Sequence, residues 1–201
     1  MILALDTSTA ACTAALFEGG ECIGSIDEVI GRGHAERLAP MLDELLGGRS
    51  ATEILVGVGP GSFTGLRVGI AAAHGMAIGW KAEIKGLSSL ALLAASAPAD
   101  GEVAAAMNGG HGELFVQQFD SGLQPSSPLF NLPPAAAAAL ISAETVVGPG
   151  AAALVEARGS GAAIEAWPSA ARALRLPSPL LSLPPAPLYG RAPDAKASVA
   201  A

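Results

Sequence analysis

The chain has 201 residues, enough for a substantial core in one domain or in two small lobes sharing an interface, and a formal net charge of −7. That charge repels polyanions, and no run of lysine or arginine offsets it, which argues against unaided binding of nucleic acid. Only 14% of residues are charged, against roughly 25% in an ordinary domain, and 51% are apolar, so either a partner covers part of the surface or the composition is simply rich in alanine, glycine and proline.

ILALD, residues 2 to 6, reads as a buried strand ending on a carboxylate, and residues 13 to 29 read as two strands joined at Gly19-Gly20. In HAERLAPMLDELLGG, Leu38, Met41, Leu42, Leu45 and Leu46 recur at helical spacing and Gly47-Gly48 supplies the stop; Pro40 is expected near the first turn or at a kink. ILVGVG, 54 to 59, is a strand, and the segment from Ser62 to Trp80 a helix capped by Ser62 or Thr64. A short strand over 82 to 87 and a helix over 88 to 97 follow. Further on, strands are expected at 102 to 108 and 112 to 119 around a GGHG turn, another at 144 to 148, then an alanine-rich helix near 150 to 158 and a proline-rich tail. The order suggests two related α/β lobes, over 1–100 and 101–201, the second smaller and eroded, with no repeat evident in residue identity. Cys12 and Cys22 are too few for a disulfide framework, no charged and apolar leader opens the chain, and no stretch approaches a membrane span, so a cytoplasmic location without membrane contact is expected.

GVGPGSFTGLRVG, residues 57 to 69, has the glycine content of a phosphate loop but not its chemistry. A P-loop needs lysine and a hydroxyl residue after its last glycine, and Leu66-Arg67 follows Gly65; the dinucleotide fingerprint has serine in place of its third glycine. In the helix that follows, Gly65, Gly69, Ala73 and Ala77 fall at every fourth position and form a ridge of small residues. Helical glycine costs about 0.5–1 kcal/mol relative to alanine, and close approach of a second helix, either internal (the 35 to 46 helix) or from another subunit, is the expected compensation.

Other constellations are thinner. Asp6-Thr7-Ser8-Thr9 has the acid and hydroxyls of a metal- or phosphate-approaching turn, but serine stands where a phosphate turn commonly has glycine; Asp6 and Thr7 are the residues that would touch a nucleotide, and a strand-end cap is the alternative. His34, His74 and His111 are scattered, with Glu36 the sole carboxylate near a ligand spacing, so no metal site is expected. Ser62, His34 and Asp6 form a triad only on paper, because GPGSFTG is not a nucleophile elbow.

The ordered series ILALDTSTAACTAAL, GRGHAERLAPMLDELL, GPGSFTGLRVG with AAAHGMA, and GLSSL resembles the TsaB family, also called YeaZ, over about the first 95 residues, and PLYGRAPDAK, 187 to 196, more weakly resembles that family's closing P-x-Y-L-R segment. The resemblance implies an actin-like ATPase (ASKHA), ribonuclease-H-like fold of two lobes. It also implies a non-catalytic assembly and activating subunit for TsaD, the paralogue that transfers threonylcarbamoyl to ANN-decoding tRNAs to make threonylcarbamoyladenosine, with the ATPase TsaE joining the complex. TsaD-like proteins bind metal through an H-x-x-x-H pair, and Ser89 and Leu93 stand at those positions here, so neither that metal nor that transfer is expected of this chain. ATP and metal then belong to the partner complex, and tRNA is met only through it. The family's Asp-Ala-Arg-like turn is replaced by Asn108-Gly109-Gly110-His111.

On this reading the two N-terminal helices and the glycine loop dock on TsaD, with His34, Leu38, Met41, Leu42, Gly61, Ser62, Phe63, Thr64, Gly65, Arg67, Gly69 and Ala73 as contacts, and a homodimer can use the same helices. Arg67 forks onto a partner carboxylate or bonds a loop carbonyl of its own chain. A glycoprotease-type hydrolase and an actin-fold ATPase are the rival readings; one lacks a paired nucleophile and base, the other intact phosphate turns.

Overall fold

The computed structural model describes residues 1–97 and 101–189. Strands β1 (Ile2–Asp6), β2 (Ala11–Glu18) and β3 (Glu21–Val29) form an antiparallel meander, joined through helix α1 (His34–Leu46) to β4 (Glu53–Gly57), and through α2 (Phe63–Trp80) to β5 (Glu83–Leu87). β4 lies parallel to β1, with Ile2 opposite Glu53, and β5 parallel to β4, so the sheet order is β3-β2-β1-β4-β5.

After α3 (Ser89–Ala94) the same path is traced again. β6 (Val103–Gly110), β7 (Glu113–Phe119) and β8 (Phe130–Leu132) form the meander, and α4 (Pro134–Ala138), β9 (Thr145–Val147), α5 (Ala151–Arg158) and β10 (Ala162–Ile164) complete a sheet of order β10-β9-β6-β7-β8. β6 corresponds to β1, since each pairs antiparallel with the next strand and parallel with the fourth. This correspondence brings out a repeat in residue identity: VGPG occurs at 58–61, directly after β4, and at 147–150, starting on the last residue of β9. Val58 N donates to Leu87 O and Gly148 N to Ile164 O, the last residues of β5 and β10, so the motif sits one residue later in the first half.

Every strand of the central pairs is buried on both faces, which gives continuous apolar runs rather than alternation. Leu3 and Leu5 point to α1 and α2 and pack with Leu38, Met41, Leu42, Leu66 and Ile70, while Ala4 points the other way. There α3, buried at all six positions, lies among residues of both sheets, including Leu55, Ala105, Met107 and Phe115. A third cluster joins Ala104, Ala106 and Val146 to Ala137 and Leu154 of the outer helices α4 and α5. Helix, sheet, helix, sheet and helix thus alternate in layers.

The elements missed in the sequence, β8, α4, β10 and 3₁₀ turns at Ala170–Arg175 and Ser178–Leu180, are three to six residues long, too short for periodicity to register. The proline-rich tail is not loose where it is described. Ala170 N donates to Thr13 Oγ1, Leu183 exchanges two backbone hydrogen bonds with Gly86 of β5, and Leu188 N donates to Val58 O. Among the described residues no helix is long and apolar enough to cross a membrane.

Candidate functional site: the strand-end turn and the outer face of helix α2

The glycine loop closes on the turn between β1 and β2. Asp6, fully buried, accepts at Oδ1 from Ser8 N (2.8 Å) and Ser8 Oγ (2.6 Å), and at Oδ2 from Ser89 Oγ (2.5 Å). Ser89 Oγ in turn accepts from Gly59 N (3.1 Å), tying the strand end, the loop and the start of α3 into one network. Burial pushes the Asp6 carboxyl above the usual carboxylate range, against the opposing pull of the Ser8 and Ser89 hydrogen bonds.

The same turn explains the glycines. A Cβ at Gly57 would run into the Asp6 carboxylate, at Gly61 into Ser8 O, at Gly65 into Thr7 O and at Gly69 into Thr7 Oγ1. Thr7 Oγ1 donates to Gly65 O (2.7 Å) and Ser62 N to Ser8 O (2.7 Å), so at Gly65 and Gly69 it is the protein's own strand-end turn that takes the space, while Ala73 and Ala77 pack in the core that α1 shares. With both Asp6 oxygens engaged and the glycine space taken, Asp6 and Thr7 do not fit the phosphate or metal that the fold implies. Nor does the paper triad assemble: His34 Nε2 meets Ala11 O, and Ser62 Oγ accepts from Gly65 N as the α2 cap. Among the described residues no group of three or more histidine, cysteine or acidic side chains is placed to hold a metal.

The expected contact residues fall into a buried and an exposed group. Gly65, Gly69 and Ala73 face the sheet, and His34, Leu38, Met41 and Leu42 lie in the core between α1, α2 and that sheet, so all of them are buried within the chain itself. Ser62, Phe63, Thr64 and Arg67 are exposed and Gly61 is half-buried. The outward stripe of α2 runs instead through Phe63, Arg67, Ala71, His74 and Ile78; Phe63 is 54% and Ile78 81% exposed. Among the described residues Arg67 bonds neither a loop carbonyl nor a carboxylate: its guanidinium carbon stands 3.6 Å from the Phe63 ring centroid and its Nε donates to Tyr189 OH (3.2 Å).

Tyr189 and Leu188 were absent from the contact set; the clue was the chain's single tyrosine, set in a proline-bounded PLY. Gly190 to Lys196 of that segment lie outside the described residues. In the second half Asn108 is still in β6, exposed and paired with Leu114, and the turn falls later, at His111-Gly112.

A family model described as "TsaD: tRNA N6-adenosine threonylcarbamoyltransferase" matches residues 21–158, well over half of the chain. The solved structure of YeaZ from Pseudomonas aeruginosa superposes with a TM-score of 0.76 at 33% identity, covering 87% of this chain and 89% of that one. The chain belongs to the TsaB (YeaZ) family. The tRNA threonylcarbamoyladenosine biosynthesis protein TsaB of Escherichia coli is 42% identical over 101 residues, 48% of this chain and 43% of that protein, so the match spans less than half of that curated TsaB. An uncharacterized protein of Mycobacterium tuberculosis is 31% identical over 97% of this chain and 93% of its own length. The actin-like ATPase fold extends to more distant structures, such as an activator of 2-hydroxyisocaproyl-CoA dehydratase from Clostridium difficile (TM-score 0.51, 11% identity).

Proposed function

We propose that this chain is a non-catalytic assembly and activating subunit in the synthesis of threonylcarbamoyladenosine on ANN-decoding tRNAs, acting in the cytoplasm by docking on TsaD. The observation that carries the reading is the Ser89 to Asp6 hydrogen bond: at the positions where the catalytic paralogue is expected to place its metal-binding histidines, Ser89 spends its hydroxyl on a buried carboxylate and Leu93 is core. Support comes also from the family membership and from the similarity to tRNA threonylcarbamoyladenosine biosynthesis proteins TsaB.

ATP and metal then belong to the partner complex, which TsaE joins, and tRNA is reached only in the assembly, in keeping with an acidic chain. The residues that would meet TsaD are the outward ones of α2 and its cap: Ser62, Phe63, Thr64, Arg67, Ala71, His74 and Ile78. A second copy of the chain on the same face would compete with TsaD.

Reconstitution tests this. Purified chain mixed with TsaD should give a stable heterodimer by light scattering, and tRNA modification should require both proteins together with TsaE, ATP and the threonylcarbamoyl donor. Full modification without this chain would refute the role, and metal-dependent hydrolysis by the isolated chain would favour the hydrolase.

A further inference from the structure

The tail segment over residues 183–189 is laid across the open end of α2. It is held by backbone at both ends, Leu183 on Gly86 and Leu188 on Val58, and His74 Nε2 lies 3.1 Å from Pro185 O between them. This anchoring delivers Tyr189 to the first turn of α2, its ring 5.4 Å from that of Phe63 at 32°. The guanidinium of Arg67 lies over Phe63 and within 6.0 Å of the Tyr189 ring centroid. Phe63, Leu188 and Tyr189 remain 54%, 46% and 44% exposed, so the cluster leaves about half of its apolar surface uncovered by the chain itself.

Among the described residues no carboxylate pairs with Arg67, although the chain carries 18 acidic residues. Among the described residues Nε is the nitrogen of this exposed, stacked guanidinium that carries a hydrogen bond, which leaves the two terminal nitrogens as a donor fork able to take a carboxylate in two parallel bonds. Holding that fork in place beforehand removes part of the ordering cost of association.

We infer that residues 183–189 are a strap that completes the docking face, with Tyr189 as the positioning residue that presents Arg67 to a carboxylate set in an apolar segment of the partner protein. The inference rests on the proposed assembly role for the identity of that partner, TsaD. A protein partner fits better than RNA, because the net charge of −7 works against a polyanion.

Calorimetric titration of the full-length chain with TsaD, and separately with unmodified tRNA, tests it. Tyr189→Ala and Arg67→Gln should each weaken TsaD binding about tenfold or more with unchanged melting temperature, as loss of an interface hot spot does. Tyr189→Phe, which keeps the stack and loses the Nε acceptor, should fall between. The double variant should be no weaker than Arg67→Gln alone, the signature of one residue acting through the other. Unaltered TsaD binding by Tyr189→Ala overturns the strap while leaving the assembly role standing. Failure of the unsubstituted chain to bind TsaD overturns both. Tight tRNA binding by the isolated chain, lost in the same variants, overturns the protein-docking assignment in favour of base stacking.

Discussion

Two glycines in α2 with the same helix propensity have opposite reasons for being there. Gly69 faces Thr7, whose hydroxyl takes the volume a Cβ would need, whereas a Cβ at Gly75 meets nothing within 4 Å. Gly69→Ala should therefore destabilise by about 1–3 kcal/mol through overpacking, and Gly75→Ala should stabilise by about 0.5–1 kcal/mol through propensity alone. Urea denaturation of the two variants measures the contrast directly. Asp6 makes a second prediction at this scale. Because burial raises its folded pKa above the ordinary 3.8, its contribution to stability is full below that value and is lost as pH rises through the raised one. The stability of the native chain relative to Asp6→Asn should thus fall between acid and neutral pH. A difference that grows with pH would mean that the Ser8 and Ser89 hydrogen bonds outweigh desolvation.

The helices differ in how much of their orientation can be read without the fold. α1 alternates leucine and methionine with charged residues, and the five apolar positions picked from periodicity, Leu38, Met41, Leu42, Leu45 and Leu46, are all buried. α2 has only Arg67 and His74 to mark a polar side: Phe63, Ala71 and Ile78 are apolar beside them and Gly65, Leu66, Gly69, Ile70 and Ala73 are apolar opposite, so the amino acids give its cap but only weakly which side turns inward. The spacing of the small-residue ridge points to a helix neighbour, whereas at Gly65 and Gly69 it is the strand-end turn that takes the space. It follows that Met41→Ala, inside the α1 core, should cost about 2–5 kcal/mol in denaturant unfolding. Ile78→Asp, on the outward side of α2, should leave unfolding nearly unchanged and reduce association with TsaD, read by light scattering of the mixture.

For the whole molecule, the low charge and high alanine content follow from three apolar layers built from 201 residues, with α3 enclosed on both sides. Small side chains such as Ala4, Ala91 and Ala105 let the layers approach each other there. The tail contributes to this whole, since Leu183 extends the β5 edge and Ser169 and Ala170 hold Asp27 and Thr13. Removing residues from Ser182 onward should lower the melting temperature of the chain in a calorimetric scan; an unchanged transition would mean that the strap is merely laid on a finished fold.

By itself the sequence determined the succession of strands and helices through residue 119 and the motif order that marks the family, because those depend on local backbone preference and on the period of apolar residues. It also determined that the glycine loop lacks the lysine of a phosphate cradle. Tertiary structure alone decided what the loop closes on, which side of α2 faces out, and that Tyr189 reaches Arg67 from 122 residues away. Each of these is a contact between segments distant in the chain, set by how the layers pack, and no local pattern encodes it.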